Sequence, residues 1–305
     1  MHVLSTKQFL DHIKLDELFA AADLLEKQDA AGKVPPDLAG KILATVFYEP
    51  STRTRFSFEA GMLKLGGQVI TTESAAQFSS AVKGETLEDS IKVISGFADT
   101  IVLRHPEQGA AERAARVSSV PVINGGDGIG EHPSQALYDL YTIKKELGRV
   151  DGLHVAFVGD MKNGRTVKSL LTLLNSYKDV KVSLISPEAL ALPAARIEEL
   201  KQQNVDFRIS TDLNSILQDA DVFYVTRVQK ERFEDAAEYE KLKDAYIIDA
   251  KTLAAMKEKA IIMHPLPRVN EIAPEVDADP RAAYFRQAKN GLYVRMALLA
   301  SVLGS

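Results

Sequence analysis

Short apolar runs alternate along most of the chain with stretches in which hydrophobic side chains return every three or four positions. The runs are rich in β-branched and aromatic residues and end at turn residues, the mark of buried strands, while the longer spacing is that of helices with one buried face. In the first half the predicted strands are residues 41–47, 68–71, 100–103 and 121–123; in the second they are 154–158, 181–185, 222–226, 246–248 and 261–263. Strands that take turns with helices build parallel sheets with crossover helices, so the predicted class is α/β. After the first strand, Phe56, Ala60 and Leu63 recur at helical spacing until Gly66 and Gly67 stop the helix. Residues 135–147 read as a helix joining the halves, with 148–152 as its stop and turn. Residues 291–303 read as a final helix, apolar on one face, that must dock. Two segments read as loops or lids: 74–84, small and polar with Ser79, Ser80 and Lys83, and 229–244, dense in charge.

A chain of 305 residues exceeds a comfortable single core, so two domains of about 150 residues each are expected. Hydrophobic residues make up 46% and charged residues 26%, the balance of a soluble globular protein. The net charge of -5 argues against a nucleic-acid surface, so an anionic ligand must be drawn in by a local basic cluster. Cysteine is absent, which removes disulfides, thiolate catalysis and cysteine-based zinc sites. No metal site and no cofactor are expected. Residues 1–29 carry Asp11, Asp16, Glu17, Asp23 and Glu26 with no unbroken apolar run, so neither a signal nor a transit peptide is read there. No span reaches membrane-crossing length, and a cytoplasmic location is expected.

The densest candidate chemistry follows the first predicted strand, where Ser51, Thr52, Arg53, Thr54 and Arg55 open a helix. A helix N-terminus offers unpaired N–H groups and the positive end of its dipole. Hydroxyls and guanidinium forks add charge-assisted bonds, so the cluster reads as an anion cradle. A serine cap with solvated arginines is the plainer alternative for such a cluster taken alone. Ligands of open parallel sheets bind beyond the carboxyl ends of the strands. Arg104 and His105 follow a predicted strand; so do Asn124 and the glycine-rich residues 125–130, leading to His132, Pro133, Ser134 and Gln135. Arg227 and Gln229, and then His264, Pro265, Leu266, Pro267 and Arg268, follow two others. Residues 159–166 have the spacing of a phosphate-binding P-loop, with Asp249 as a candidate magnesium ligand. Arg165 stands where that motif calls for lysine, and a planar fork suits a carboxylate better. No serine–histidine–aspartate set, metal-binding histidine pair or paired catalytic carboxylates can be assembled. The inventory of arginines, amides and a histidine holds anions and polarises a carbonyl but supplies no protein nucleophile. It suits a reaction between two bound anions, one of which brings its own nucleophile.

Taken together, Ser51-Thr52-Arg53-Thr54-Arg55, His132-Pro133-Ser134-Gln135 and His264-Pro265-Leu266-Pro267-Arg268 resemble the transcarbamylase family, and the similarity runs nearly end to end. The first two motifs are shared with the ornithine-using members and specify only carbamoyl phosphate chemistry. Residues 83–86, residues 226–232 and the Pro-Leu-Pro loop, where ornithine enzymes place a cysteine, resemble the catalytic chains that use aspartate. The resemblance implies two Rossmann-like domains, each a parallel sheet flanked by helices, with the C-terminal helix returning to the first. Residues 1–133 with 290–305 would bind carbamoyl phosphate, and 134–289 aspartate. The implied reaction moves the carbamoyl group from carbamoyl phosphate to the α-amine of L-aspartate, giving N-carbamoyl-L-aspartate and phosphate, the committed step of de novo pyrimidine biosynthesis.

In family terms Ser51, Thr52, Arg53, Thr54 and Arg104 hold the phosphate. Thr54, Arg104 and His132 bond the carbonyl oxygen, while Gln135 and the backbone carbonyls of Pro265 and Leu266 take the amide. Arg165, Arg227 and Gln229 match positions that bind the two carboxylates of aspartate, with Lys83 and Leu266 also at that substrate. Ser79 and Lys83 match residues contributed by a neighbouring subunit, which implies a homotrimer. Catalysis would rest on Arg53, Thr54, Lys83, Arg104 and His132, and Glu49 would pair with Arg165 and Arg232 on closure. Ser134 stands where many relatives carry threonine. Regulatory chains and fusion to other pyrimidine enzymes stay open as partners, since residues 276–303 resemble the multifunctional eukaryotic form. Another amine acceptor such as ornithine, a P-loop NTPase and a silent scaffold are the alternatives; the arginines at 165 and 227 would repel a cationic acceptor.

Overall fold

A computed structural model describes residues 1–75, 84–233 and 235–304. The chain divides into two compact units, Met1–Tyr138 with Lys289–Ser305, and Asp139–Ala288. Both divisions fall inside helices, α5 (Pro133–Leu147) and α10 (Tyr284–Leu303).

In the first unit four parallel strands, β1 (Ile42–Phe47), β2 (Gln68–Glu73), β3 (Thr100–His105) and β4 (Val122–Asp127), lie in the order β2-β1-β3-β4. Helices α1 (His12–Ala30), α2 (Thr52–Lys64), α3 (Leu87–Ile94) and α4 (Ala110–Val117) accompany them. Helix α1 starts where the Asp11 side chain accepts the Ile13 N–H, and it buries Leu15, Leu18, Phe19, Ala22 and Leu25 at helical spacing. On one face of the sheet Ala44, Val46, Ile101, Leu103 and Val122 pack with Ile91 of α3 and Ala114 of α4. The C-terminal helix α10 belongs to this unit from Lys289 onward, and its Tyr293 hydroxyl donates to Asp29 Oδ2 at 3.1 Å.

The second unit holds β5 (His154–Val158), β6 (Lys181–Ile185), β7 (Asp206–Ser210), β8 (Val222–Val225) and β9 (Ile261–Met263), all parallel, in the order β7-β6-β5-β8-β9. Helix α6 (Arg165–Leu174) buries Val167, Leu170, Leu171, Leu173 and Leu174. Helices α7 (Ala194–Gln202), α8 (Ala236–Leu242) and α9 (Ala250–Ala255) complete the unit. A core of Val158, Phe223, Val225, Ile248, Leu253 and Ile262 fills one side of its sheet.

Four expectations from the pattern change. The helix after β1 buries Thr54, Phe58, Gly61 and Met62, while Phe56 and Leu63 are 53% and 59% exposed. Both sets satisfy the helical period; α10 selects between them, because a Cβ on Gly61 would come within 3.0 Å of Met296 Cγ. Strand β7 was not anticipated, since this edge strand has only Phe207 and Ile209 as apolar residues and is largely exposed. Residues 246–248 form no sheet strand; Ile248 makes an isolated bridge to Ile272 instead. Finally, β3 and β4 run on to His105 and Asp127, because polar residues and glycines continue the backbone pairing.

Candidate active site

Each sheet has a point where the chain reverses its direction of growth, and ligands of open α/β sheets settle at such switch points. In the first unit it lies between β1 and β3. Ser51 to Thr54 follow β1 directly, and Arg104, at the end of β3, stands in register with Phe47.

Ser51 takes the cap position of α2 with φ -158 and ψ 87, yet its side chain makes no capping bond. The backbone alone closes the first turn, from Arg55 N–H to Ser51 O at 3.0 Å. The plain-cap reading therefore does not describe this serine. Thr52 and Arg53 are exposed, whereas Thr54 is buried with its Oγ1 3.4 Å from His132 Nε2. The His132 carbonyl accepts the N–H groups of Gln135 and Ala136 at 3.0 and 3.2 Å, so His132 heads helix α5 as Ser51 heads α2. The N-termini of α2 and α5 thus come together at the Thr54–His132 contact. Both ends favour negative charge.

Arg104 is positioned by a bulge. Between the pairs Leu103–Asn124 and His105–Asp127, β3 spends one residue and β4 spends two, Gly125 and Gly126, the latter at φ 114. Arg104 Nη1 donates to Gly125 O at 3.1 Å, and its Nη2 lies 3.7 Å from Glu49 Oε2. Arg55 points elsewhere: it pairs with Glu73 at 3.0 Å and Glu59 at 3.6 Å, and Glu59 also accepts the Thr45 and Thr71 hydroxyls at 2.7 Å each. This second arginine of the motif ties α2 to the sheet. His105 is structural as well, its Nδ1 accepting the Glu107 N–H at 3.1 Å and its ring against Tyr48. Burial lowers its pKa and keeps it neutral. Ser79 and Lys83 lie outside the described residues.

The sequence reading missed Arg295, a charge within the apolar C-terminal helix, which was itself the available signal. Its guanidinium is buried, donates to Ser57 Oγ at 2.5 Å and Ser134 Oγ at 3.3 Å, and lies 5.0 Å from the ring centroids of both Phe58 and Tyr138. It braces the two helix N-termini from behind. Its use of Ser134 Oγ also gives the hydroxyl at that position a reason.

In the second unit the switch point lies between β5 and β8. Arg165 is the first residue of α6, after β5, and Arg227 follows β8; both are partly buried, as is Gln229. The two strand ends are clamped. Gly159 adopts φ +115, a Cβ there would meet Thr226 O at 2.2 Å, and Asp160 N–H donates to Thr226 Oγ1 at 3.0 Å. Buried Asp160 then accepts the Asn163 N–H at 2.9 Å, so residues 159–164 wrap around a carboxylate and deliver Arg165 to the helix start. The NTPase alternative finds no support in Asp249, which caps α9 by accepting the Thr252 N–H at 2.8 Å. Lys168, one turn after Arg165, has its pKa lowered by burial and then by the nearby Arg196. Arg232 is exposed in a short turn, Lys230–Arg232.

The third motif forms a tight loop after β9. Leu266 sits at φ +57 and the Leu266–Pro267 bond is cis. A left-handed non-glycine residue costs about 1–2 kcal/mol and persists only where its surroundings hold it. Arg268 is held by Asp277 and by the Tyr284 hydroxyl. Among the described residues no cluster of three or more histidines or carboxylates could hold a metal ion, and no helix is long and apolar enough to cross a membrane.

Known proteins share this arrangement. Residues 1–145 match the aspartate/ornithine carbamoyltransferase carbamoyl-P binding domain, and residues 151–302 the Asp/Orn binding domain of the same enzymes. A chloroplastic aspartate carbamoyltransferase of Arabidopsis thaliana is 52% identical over 99% of this chain and 77% of its own length. The aspartate carbamoyltransferase catalytic subunit of Thermoplasma volcanium is 50% identical over 97% of both chains. Among solved structures, the catalytic subunit of M. jannaschii aspartate transcarbamoylase superposes with a TM-score of 0.92 at 50% identity, covering 99% of this chain and 97% of its own. The Trypanosoma cruzi aspartate transcarbamoylase in complex with carbamoyl phosphate and aspartate gives 0.93 at 43% identity, with the same coverage. With both halves matched, and with relatives of half-identical sequence along nearly its whole length, the chain belongs to the aspartate/ornithine carbamoyltransferase family.

Proposed function

We infer that the protein transfers the carbamoyl group of carbamoyl phosphate to the α-amine of L-aspartate, releasing N-carbamoyl-L-aspartate and phosphate as a step of pyrimidine biosynthesis. What supports this reading is the presence of Ser51 to Thr54 and Arg104 at the switch point of one unit and of Arg165 and Arg227 at that of the other, in a chain whose relatives are aspartate carbamoyltransferases. Two arginines at the second site favour an acceptor with two carboxylates over one with a cationic side chain.

The residue roles belong to the same proposal. Ser51, Thr52, Arg53, Thr54 and Arg104 grip the phosphate in the first unit. Thr54, Arg104 and His132 face the carbonyl oxygen, and Gln135 with the carbonyls of Pro265 and Leu266 takes the amide. Arg165, Arg227 and Gln229 take aspartate, Lys83 and Ser79 arrive from a neighbouring subunit of a homotrimer, and Glu49 and Arg232 serve closure. The deprotonated amine attacks the carbamoyl carbon, negative charge gathers on the carbonyl oxygen, and the C–O bond to phosphate breaks. The departing phosphate accepts the amine proton, so His132 acts as donor and orienter. Each donor aimed at the developing oxyanion is worth about 10²–10³ in rate. Holding both reactants in line contributes about 7–11 kcal/mol more.

A cytoplasmic location is part of this reading. Fusion to other pyrimidine enzymes stays open, and a multifunctional protein of Dictyostelium discoideum is 50% identical over the whole of this chain, which spans 14% of that protein. The test is a product assay with carbamoyl phosphate and either L-aspartate or L-ornithine. Carbamoyl-aspartate and phosphate in equal amounts are expected; citrulline, or no turnover with aspartate in any assembly state, rejects the reading.

A further inference from the structure

The loop that carries the Pro265 and Leu266 carbonyls is held by a buried histidine. His264 is buried, its Nε2 lies 2.7 Å from Glu271 Oε1, and its Nδ1 accepts the Leu266 N–H at 2.7 Å. A backbone N–H can only donate, so Nδ1 must present a lone pair and the ring proton sits on Nε2, facing the carboxylate. Glu271 is set up as that acceptor. It is 5% exposed and also takes the N–H groups of Val269 at 3.1 Å and Asn270 at 3.0 Å. Burial raises its pKa, but the His264 hydrogen bond together with the backbone bonds outweighs that and leaves it lowered.

The root of the loop is anchored by a second buried chain. His264 N–H donates to Gln287 Oε1 at 2.9 Å, Gln287 Nε2 donates to Asp139 Oδ1 at 2.6 Å, and the Tyr224 hydroxyl donates to Asp139 Oδ2 at 2.7 Å. The His264 backbone is thus fixed by Gln287 and its imidazole by Glu271, and the remaining ring nitrogen is spent on one peptide unit.

That peptide unit matters for the reaction. The Leu266 N–H and the Pro265 C=O belong to the same plane, and in a trans peptide they point in opposite directions. Fixing the N–H on Nδ1 therefore aims the Pro265 oxygen, at the entry to Leu266 with its φ of +57. We propose that His264 is a positioning residue: as the Nε2–H tautomer braced by Glu271, it orients the Pro265 carbonyl that receives the carbamoyl amide. This rests on the carbamoyl transfer reading, which assigns that carbonyl to that amide.

Two substitutions separate orientation from simple support. In His264→Asn the side-chain oxygen can occupy the Nδ1 place and keep the Leu266 bond while losing Glu271. His264→Gln reaches Glu271 but leaves the Leu266 N–H without its acceptor. Misplacing a reacting group by about 1 Å costs about 10²-fold, so H264Q is expected to lose about that factor in kcat, and H264N, which keeps the Leu266 bond without the Glu271 brace, about tenfold less than H264Q. Inorganic phosphate affinity should be unchanged in both. Nitrogen-15 NMR of histidine-labelled parent protein, with His264 assigned through H264N, should show Nδ1 without a proton, a readout that stands even if H264Q does not fold. A protonated Nδ1, or equal kcat losses in both variants that track their melting temperatures, overturns the proposal. A parent protein that forms no carbamoyl-aspartate removes it together with the functional reading, an outcome distinct from the other two.

Discussion

Within the cluster Ser51 to Arg55 neighbouring residues of similar chemistry have different work. Thr54 is buried against His132, Arg55 is paired with Glu59 and Glu73, and Arg53 is exposed at the head of the helix. Removing Arg53 should therefore harm turnover far more than folding. Arg53→Ala is expected to lower kcat by about 10²–10³. Its unfolding free energy should change by no more than about 0.5 kcal/mol, as for exposed positions generally. Steady-state kinetics beside urea unfolding of the same preparation decides this, and a loss of stability that accounts for the activity would assign Arg53 to the scaffold. The sequence marked these side chains as candidate anion binders because helix capping and charge are local properties. The local pattern alone did not separate Arg53 from Arg55, which only the family resemblance left out of the phosphate grip; the physical difference depends on Glu73, supplied by a strand that follows the helix.

At the scale of elements, the strand ends were legible where the apolar run is long and buried, as in β1, β5 and β8, and illegible at the exposed edge strand β7. Helix α2 makes the same point about phase, for its period is written in the sequence but the buried face is chosen by contact with Met296. Gly159 shows an element boundary under a steric requirement, since the ends of β5 and β8 approach too closely for any side chain. Gly159→Ala should cost about 1–3 kcal/mol through overpacking, in addition to the strain of positive φ. Because the same loop leads to Arg165, the apparent KM for aspartate should rise more than that for carbamoyl phosphate. Chemical unfolding and substrate titrations read both effects, and an unchanged midpoint would show that the Thr226 carbonyl can give way.

At the scale of the whole molecule, the proposed homotrimer makes a prediction that single chains cannot. If Lys83 reaches the site of a neighbouring subunit, inactive Lys83→Ala and inactive His132→Ala chains should regain activity when mixed and allowed to exchange, because some sites then combine two intact contributions. Turnover of the mixture against the unmixed proteins measures this; no recovery in a mixture proven to contain hybrids removes the shared site. The α/β class, the parallel alternation, the cradle at the end of β1 and the arginines beyond β5 and β8 followed from sequence alone, because period, strand propensity and helix-terminal chemistry act over a few residues. Only the tertiary structure decided which face of α2 is buried, that Arg295 braces the two helix N-termini through Ser57 and Ser134, and that His264 spends its Nδ1 on Leu266. Two of these depend on groups far apart in the chain, and all three on how particular atoms meet in three dimensions, which no local pattern of residues encodes.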